Sequence, residues 1–172
     1  MSDRSAVEKL RREFDAAFAR PHERDAVSFA ELLLIRASDR PLALHAGELR
    51  SIVECPPVTP VPSGARGCLG VTSVRGVLVG VYSLAALVDD ASGGSHRWLA
   101  IAGDGTLGFA FDELERYERV ALDAIRRFPD SRPDAFARDV IEIAGESRAV
   151  VELAALVRTI AEPRAPKTEQ ES

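Results

Sequence analysis

The pentapeptide Leu-Ala-Ala-Leu-Val occurs at residues 84–88 and again at residues 153–157, an offset of 69 residues. Each copy follows a β-like run, a turn containing glycine and a second β-like run. A repeat of this size predicts two similar small β-lobes, each finished by a short helix that plugs one end. Chance similarity in a chain rich in Ala, Val and Leu is the competing explanation. The matching strand-turn-strand context in front of both copies favours true repetition.

The intervening sequence supplies the strands. Residues 29–36 and 41–45 flank the turn signal Ser38, Asp39 and Arg40, which predicts a β-hairpin. Residues 46–54 continue as a short helix or a strand. The four prolines 56, 57, 60 and 62 then exclude both helix and central strand, leaving an ordered extended connector or a loop. Residues 68–74 and 77–82 are β-like runs separated by Arg75 and Gly76, and 83–88 suits a short helix. Residues 89–96 are expected to be a loop. The second half repeats the style, with a hairpin over 97–102 and 106–112 around Gly103-Asp104-Gly105. Residues 113–120 extend the sheet, 121–136 mix helix and loop, strands follow at 140–144 and 148–152, and a helix closes the chain at 153–160. Ahead of all this, Val7, Leu10, Phe14 and Phe18 recur at helical spacing, with Ser5 and Glu8 as a capping box and Pro21 as a stop. This predicts an N-terminal amphipathic helix within residues 1–24, either packed on the domain body or free for a partner. The polar, proline-containing residues 162–172 are expected to be a disordered tail.

Composition removes several function classes. The net charge is −5 and the arginines are spread among acids, which argues against a nucleic-acid binder that needs clustered cations. The charged residues 1–20 offer no secretory core, and no apolar run is long enough to cross a bilayer. Cys55 and Cys68 are expected to be reduced core thiols in a cytoplasmic protein. His22, His45 and His96 have no metal-ligand spacing to one another or to the cysteines, so no metal is expected. Residues 63–67 carry glycines without the Lys and Ser/Thr of a phosphate loop, and no nucleophile elbow is present. Asp89 and Asp90 suit a solvated loop, and Trp98 suits a core position. No catalytic residue and no cofactor is expected; a small-molecule-binding or enzymatic barrel would need convergent polar residues that the sequence does not supply.

One stretch carries a family resemblance. Gly70-Val71-Thr72-Ser73-Val74-Arg75-Gly76-Val77-Leu78-Val79 resembles the signature of the CheW family, a strand leading to Asn-Leu-Arg-Gly and a second apolar strand. Residues 49–54 with the proline-rich connector, residues 107–113 with Val120, and residues 141–157 are similar to other family segments and stand in the same order. The resemblance covers about residues 29–160. It implies a mainly β fold of two five-stranded SH3-like barrel lobes over residues 27–161. It also implies a non-enzymatic adaptor that joins a chemoreceptor's cytoplasmic signalling tip to the regulatory domain of a CheA-type histidine kinase. Such a protein would be cytoplasmic and recruited to receptor arrays, and would use a hydrophobic groove between the lobes together with the barrel ends. The partner-binding residues carried over are Ser51, Ile52, Val71, Ser73, Val74, Arg75 and Gly76, with Arg75 at the tight turn either pairing with a partner or bracing its own hairpin. The sequence departs from the pattern at Ser51, Ser73, Gly80 and Ser83, where the family usually has Glu, Asn, Pro and Asp. These departures leave open a stand-alone scaffold or polarity protein that binds only one of the two partners or an unrelated protein.

Overall fold

The computed structural model describes residues 28–89, 93–128 and 136–162. The N-terminal amphipathic helix expected within 1–24, the loop residue Asp90, the prolines 129 and 133, and the tail beyond Glu162 lie outside the described residues. Among the described residues, eleven strands and two α-helices follow one another: β1 (Phe29–Ala37), β2 (Arg40–His45), β3 (Leu49–Glu54), β4 (Cys68–Val74), β5 (Val77–Ser83), α1 (Leu84–Asp89), β6 (Trp98–Ala102), β7 (Leu107–Phe111), β8 (Glu113–Ala121), β9 (Arg126–Arg127), β10 (Ala137–Ile143), β11 (Glu146–Val151) and α2 (Leu153–Ala161). Short 3₁₀ turns at Ala46–Glu48 and Leu122–Ala124 lead into β3 and away from β8.

The 69-residue offset maps one supersecondary unit onto another. It carries β4 onto β10, β5 onto β11, and the start of α1 onto the start of α2. The turn residues match as well: Arg75 and Gly76 have φ of 51° and 81°, and Ala144 and Gly145 have 53° and 78°. Positive φ at both central positions is what a two-residue hairpin needs to match the twist of its strands. Even the bulges coincide, between Cys68 and Gly70 in β4 and between Ala137 and Asp139 in β10.

The lobes, however, are not the repeats. One sheet has the order β3-β6-β7-β5-β4; the other has β8-β1-β2-β11-β10, extended by the two-residue β9. Each sheet therefore holds at its centre a hairpin from the other repeat. The hairpin β6–β7 enters the sheet of β3, β4 and β5, pairing antiparallel with β3 and parallel with β5. The hairpin β1–β2 enters the second sheet between β8 and β11 in the same way. The expectation of one repeat per lobe is thus corrected: the two repeats exchange strands, and the mainly β, two-lobed architecture follows from that exchange.

The exchange explains the run Leu32-Leu33-Leu34-Ile35. A strand at the centre of a sheet covered on both faces is apolar on both. Leu32 and Leu34 enter the interior of their lobe with Ala43, Ile141 and Val150. Leu33 and Ile35 enter a larger cluster shared with the other lobe, where they meet Ala100, Phe109 and Phe111. Leu84 and Leu87 of α1 and Leu153 and Leu156 of α2 complete that cluster. At about 2 kcal/mol for each fully buried leucine, these four side chains together contribute on the order of 8 kcal/mol of transfer free energy to that cluster. The helices therefore seal the junction of the lobes, a correction to the expected plug at one end of each. Trp98 sits half-buried at the edge of the same cluster, with the Arg97 guanidinium 5.7 Å from its ring centroid.

Crossings between lobes are held by side chains that cap backbone. Asp112, where the chain passes from β7 to β8, accepts hydrogen bonds from the Ser38 N–H at 2.5 Å and the His96 N–H at 3.0 Å. Glu48 accepts from the Leu153 N–H at 2.7 Å, which caps α2 from the opposite repeat. Asp89 is exposed, as expected, and forms a surface ion pair with Arg40 at 2.7 Å.

Candidate functional site

The signature stretch forms the β4–β5 hairpin, and its tip projects from the end of the smaller sheet. Ser73, Arg75, Gly76, Val77 and Leu78 are exposed, and Leu78 is 68% accessible. Two features hold the hairpin from behind. The proline-rich connector lies along β4, with Thr59 and Val71 exchanging backbone hydrogen bonds at 2.8 and 2.9 Å, and the Thr72 hydroxyl donating to the Pro57 carbonyl at 2.9 Å. Gly70 permits this approach: a Cβ there would stand 2.1 Å from the Thr59 carbonyl oxygen, and its φ of 139° is one that L side chains avoid.

Beside the tip is a cleft of about 170 Å³ lined by Arg50, Ser51, Val74, Arg75, Val77, Val79, Ile101 and Gly105. Its floor is apolar and its rim carries two guanidinium groups. Neither Arg50 nor Arg75 has a hydrogen-bond or ion-pair partner among the described residues. Arg50 lies against Gly105, where a Cβ would come 2.6 Å from its Nη1. Guanidinium groups held over apolar side chains suit a partner surface that combines carboxylates with aliphatic residues.

The corresponding place in the other lobe is filled. The repeat offset sets Glu146 opposite Val77 and Arg148 opposite Val79. Arg148, 5% exposed, pairs with Glu146 and, at 2.7 Å, with Glu115. Arg36 pairs with the same two carboxylates at 2.6 and 2.8 Å. The hydrogen bond from Arg36 outweighs the cost of burial and holds the Glu146 carboxyl below its ordinary value, with the charge of Arg148 adding to the effect. One lobe end is thus closed by ion pairs within the chain, and the other presents cations without partners among the described residues.

Of the seven residues singled out in the sequence, the cleft brings Ser51, Val74 and Arg75 together, with Gly76 completing the turn. Ile52 faces away, packed against the shared cluster of the seam. Val71 is half-buried under the connector, and Ser73 is exposed on β4 away from the cleft lining. Arg50, Val77 and Gly105 were not foreseen. Arg50 shares the cleft with its neighbour Ser51 because the β3–β6 register shifts between Leu49 and Ser51. A bulge places consecutive residues together where plain alternation separates them. Ser83, at the position where the family usually has Asp, is buried and acts locally: its hydroxyl lies 3.4 Å from the Ala86 N–H and 3.3 Å from His96 Nε2.

Cys55 and Cys68 are free and half-buried, and burial pushes the Cys55 thiol up, which suppresses its thiolate. Among the described residues no group of three or more His, Cys, Asp or Glu is placed to hold a metal ion, and no helix is long and apolar enough to cross a membrane.

A family model described as the CheW-like domain matches residues 31–161 of the chain. Among solved structures, the scaffolding protein TtCheW from Thermoanaerobacter tengcongensis is similar, with a TM-score of 0.64 at 14% identity, covering 73% of this chain and 90% of that one. At that identity the likeness is one of fold. No curated protein matches the chain.

Proposed function

The chain belongs to the CheW-like domain family, and from that premise we propose that it is a non-enzymatic adaptor joining the cytoplasmic signalling tip of a chemoreceptor to the regulatory domain of a CheA-type histidine kinase. The observation that carries this reading is the open end of the smaller lobe, where Arg50 and Arg75 ring an apolar cleft without partners of their own while the equivalent end of the other lobe is closed by ion pairs. A kinase regulatory domain of related β-barrel form would dock there, its carboxylates meeting the guanidinium groups and its aliphatic residues covering Val77 and Leu78. Recruitment to a receptor array at the cytoplasmic face of the membrane follows from the same role. The bracing role considered for Arg75 has less support, because its guanidinium makes no bond within its own hairpin.

The test is reconstitution of a receptor signalling fragment and kinase with and without the protein, reading ATP-dependent autophosphorylation. Stimulation by the wild type and none by Arg75→Glu is the expected result. A folded protein without effect in either form would leave the scaffold that binds another partner as the surviving reading.

A further inference from the structure

On the other sheet from the cleft, Phe29 of β1 and Tyr117 of β8 stand on one face with 47% and 53% of their surface accessible. The Arg119 guanidinium lies 4.3 Å from the Phe29 ring centroid, and the β1–β8 register sets Glu31 opposite Arg119 and Leu33 opposite Tyr117. These cross-strand contacts fix all four side chains on the same side. Leu33, two residues beyond Glu31 on that side, is already buried in the shared cluster. The exposed aromatic face is therefore continuous with the apolar seam. It also borders the outer strand of the sheet, since β8 ends the strand order.

The chain itself supplies an occupant. The Ser28 carbonyl accepts a hydrogen bond from the Leu122 N–H at 2.9 Å, which pins the chain beside Phe29. Residues 1–27 therefore join the described protein at the margin of the exposed face. They contain the stripe Val7, Leu10, Phe14 and Phe18, bordered by Arg11 and Asp15, which are opposite in sign to Glu31 and Arg119. The stretch between Phe18 and Ser28 spans at most roughly 33 Å when extended, enough to turn back over its own point of attachment. Phe29 adjoins the point of attachment and Leu122, half exposed, lies beside it, so covering this apolar margin with the stripe removes apolar area from both sides.

We propose that residues 5–20 dock through this stripe onto the Phe29–Tyr117 face of the same molecule. This goes beyond the adaptor reading and does not depend on it. The full chain carrying Tyr117→p-benzoylphenylalanine, irradiated at high dilution and mapped by mass spectrometry, provides the test. Crosslinks within one chain to residues 7–18 are expected, and their yield falls by about tenfold or more when Phe14→Glu and Phe18→Glu remove the apolar contact. Hydrogen exchange gives a label-free second readout, with β8 amides exchanging faster in the Phe14→Glu/Phe18→Glu chain than in the wild type. Crosslinks solely between chains would put a second copy on the face and overturn the proposal. So would an unchanged yield, or unchanged β8 exchange, in a variant whose circular dichroism shows the β-fold intact.

Discussion

Gly70 shows how one residue ties the connector to the candidate site. Its lack of a side chain lets the Thr59 carbonyl sit where a Cβ would otherwise be, and this contact fixes the strand that leads to Arg75. Gly70→Ala combines a steric overlap with a φ unfavourable to L residues, so a loss of about 2–3 kcal/mol is expected. Thermal unfolding checks the magnitude, and faster hydrogen exchange at Thr59 and Val71 locates the damage. The pair Arg148 and Val79 teaches the complementary lesson. Equivalent positions of two repeats have diverged into a partly buried ion network around Arg148 and an apolar cleft floor. A buried ion pair is weak evidence of added stability, but it does remove the charges from reach of a partner.

At the scale of elements, the crossing from β7 to β8 depends on the Asp112 carboxylate. Burial alone would raise its pKa, yet hydrogen bonds from Ser38, His96 and Ser95 outweigh burial and hold it below the ordinary value. A depressed carboxyl stabilises the fold above the unfolded-state pKa of about 3.9 and loses that contribution as pH falls through the lower folded value. Asp112→Asn is accordingly expected to be about 1–2 kcal/mol less stable at neutral pH, the range for charge-assisted bonds at a half-buried site. The difference from wild type should narrow below about pH 4; denaturant unfolding across pH 3–7 measures it. The hairpins themselves were legible in the sequence, because turn residues and alternation are local signals. Ser38-Asp39 and Arg75-Gly76 both adopt the positive φ that their turn positions require. Arg50 was not legible as a cleft residue, since its position depends on a bulge in β3 that no local pattern announces.

For the whole molecule, the sequence revealed the repeat but not the exchange of hairpins, because which sheet a strand joins is decided by pairing across the length of the chain. The exchange has a direct consequence. A sheet deprived of its central hairpin leaves two separated edges, so residues 28–89 and 93–162 produced separately are expected to be unfolded and to gain strand structure when mixed at 1:1. Cooperative unfolding of either half alone, followed by circular dichroism, would show that the exchanged hairpins are dispensable. In the proposed adaptor the cations at the open lobe end bind a partner and do not serve the fold. Arg75→Asn separates the two roles, since asparagine tolerates the left-handed turn position and lacks the guanidinium. The decisive measurement is calorimetric titration of wild type and Arg75→Asn with the kinase regulatory domain, alongside thermal unfolding of the same samples. Equal or higher stability is expected, with affinity lowered about tenfold or more, in line with loss of an interfacial arginine contact. Unchanged affinity in the equally stable variant would contradict the partner-binding role.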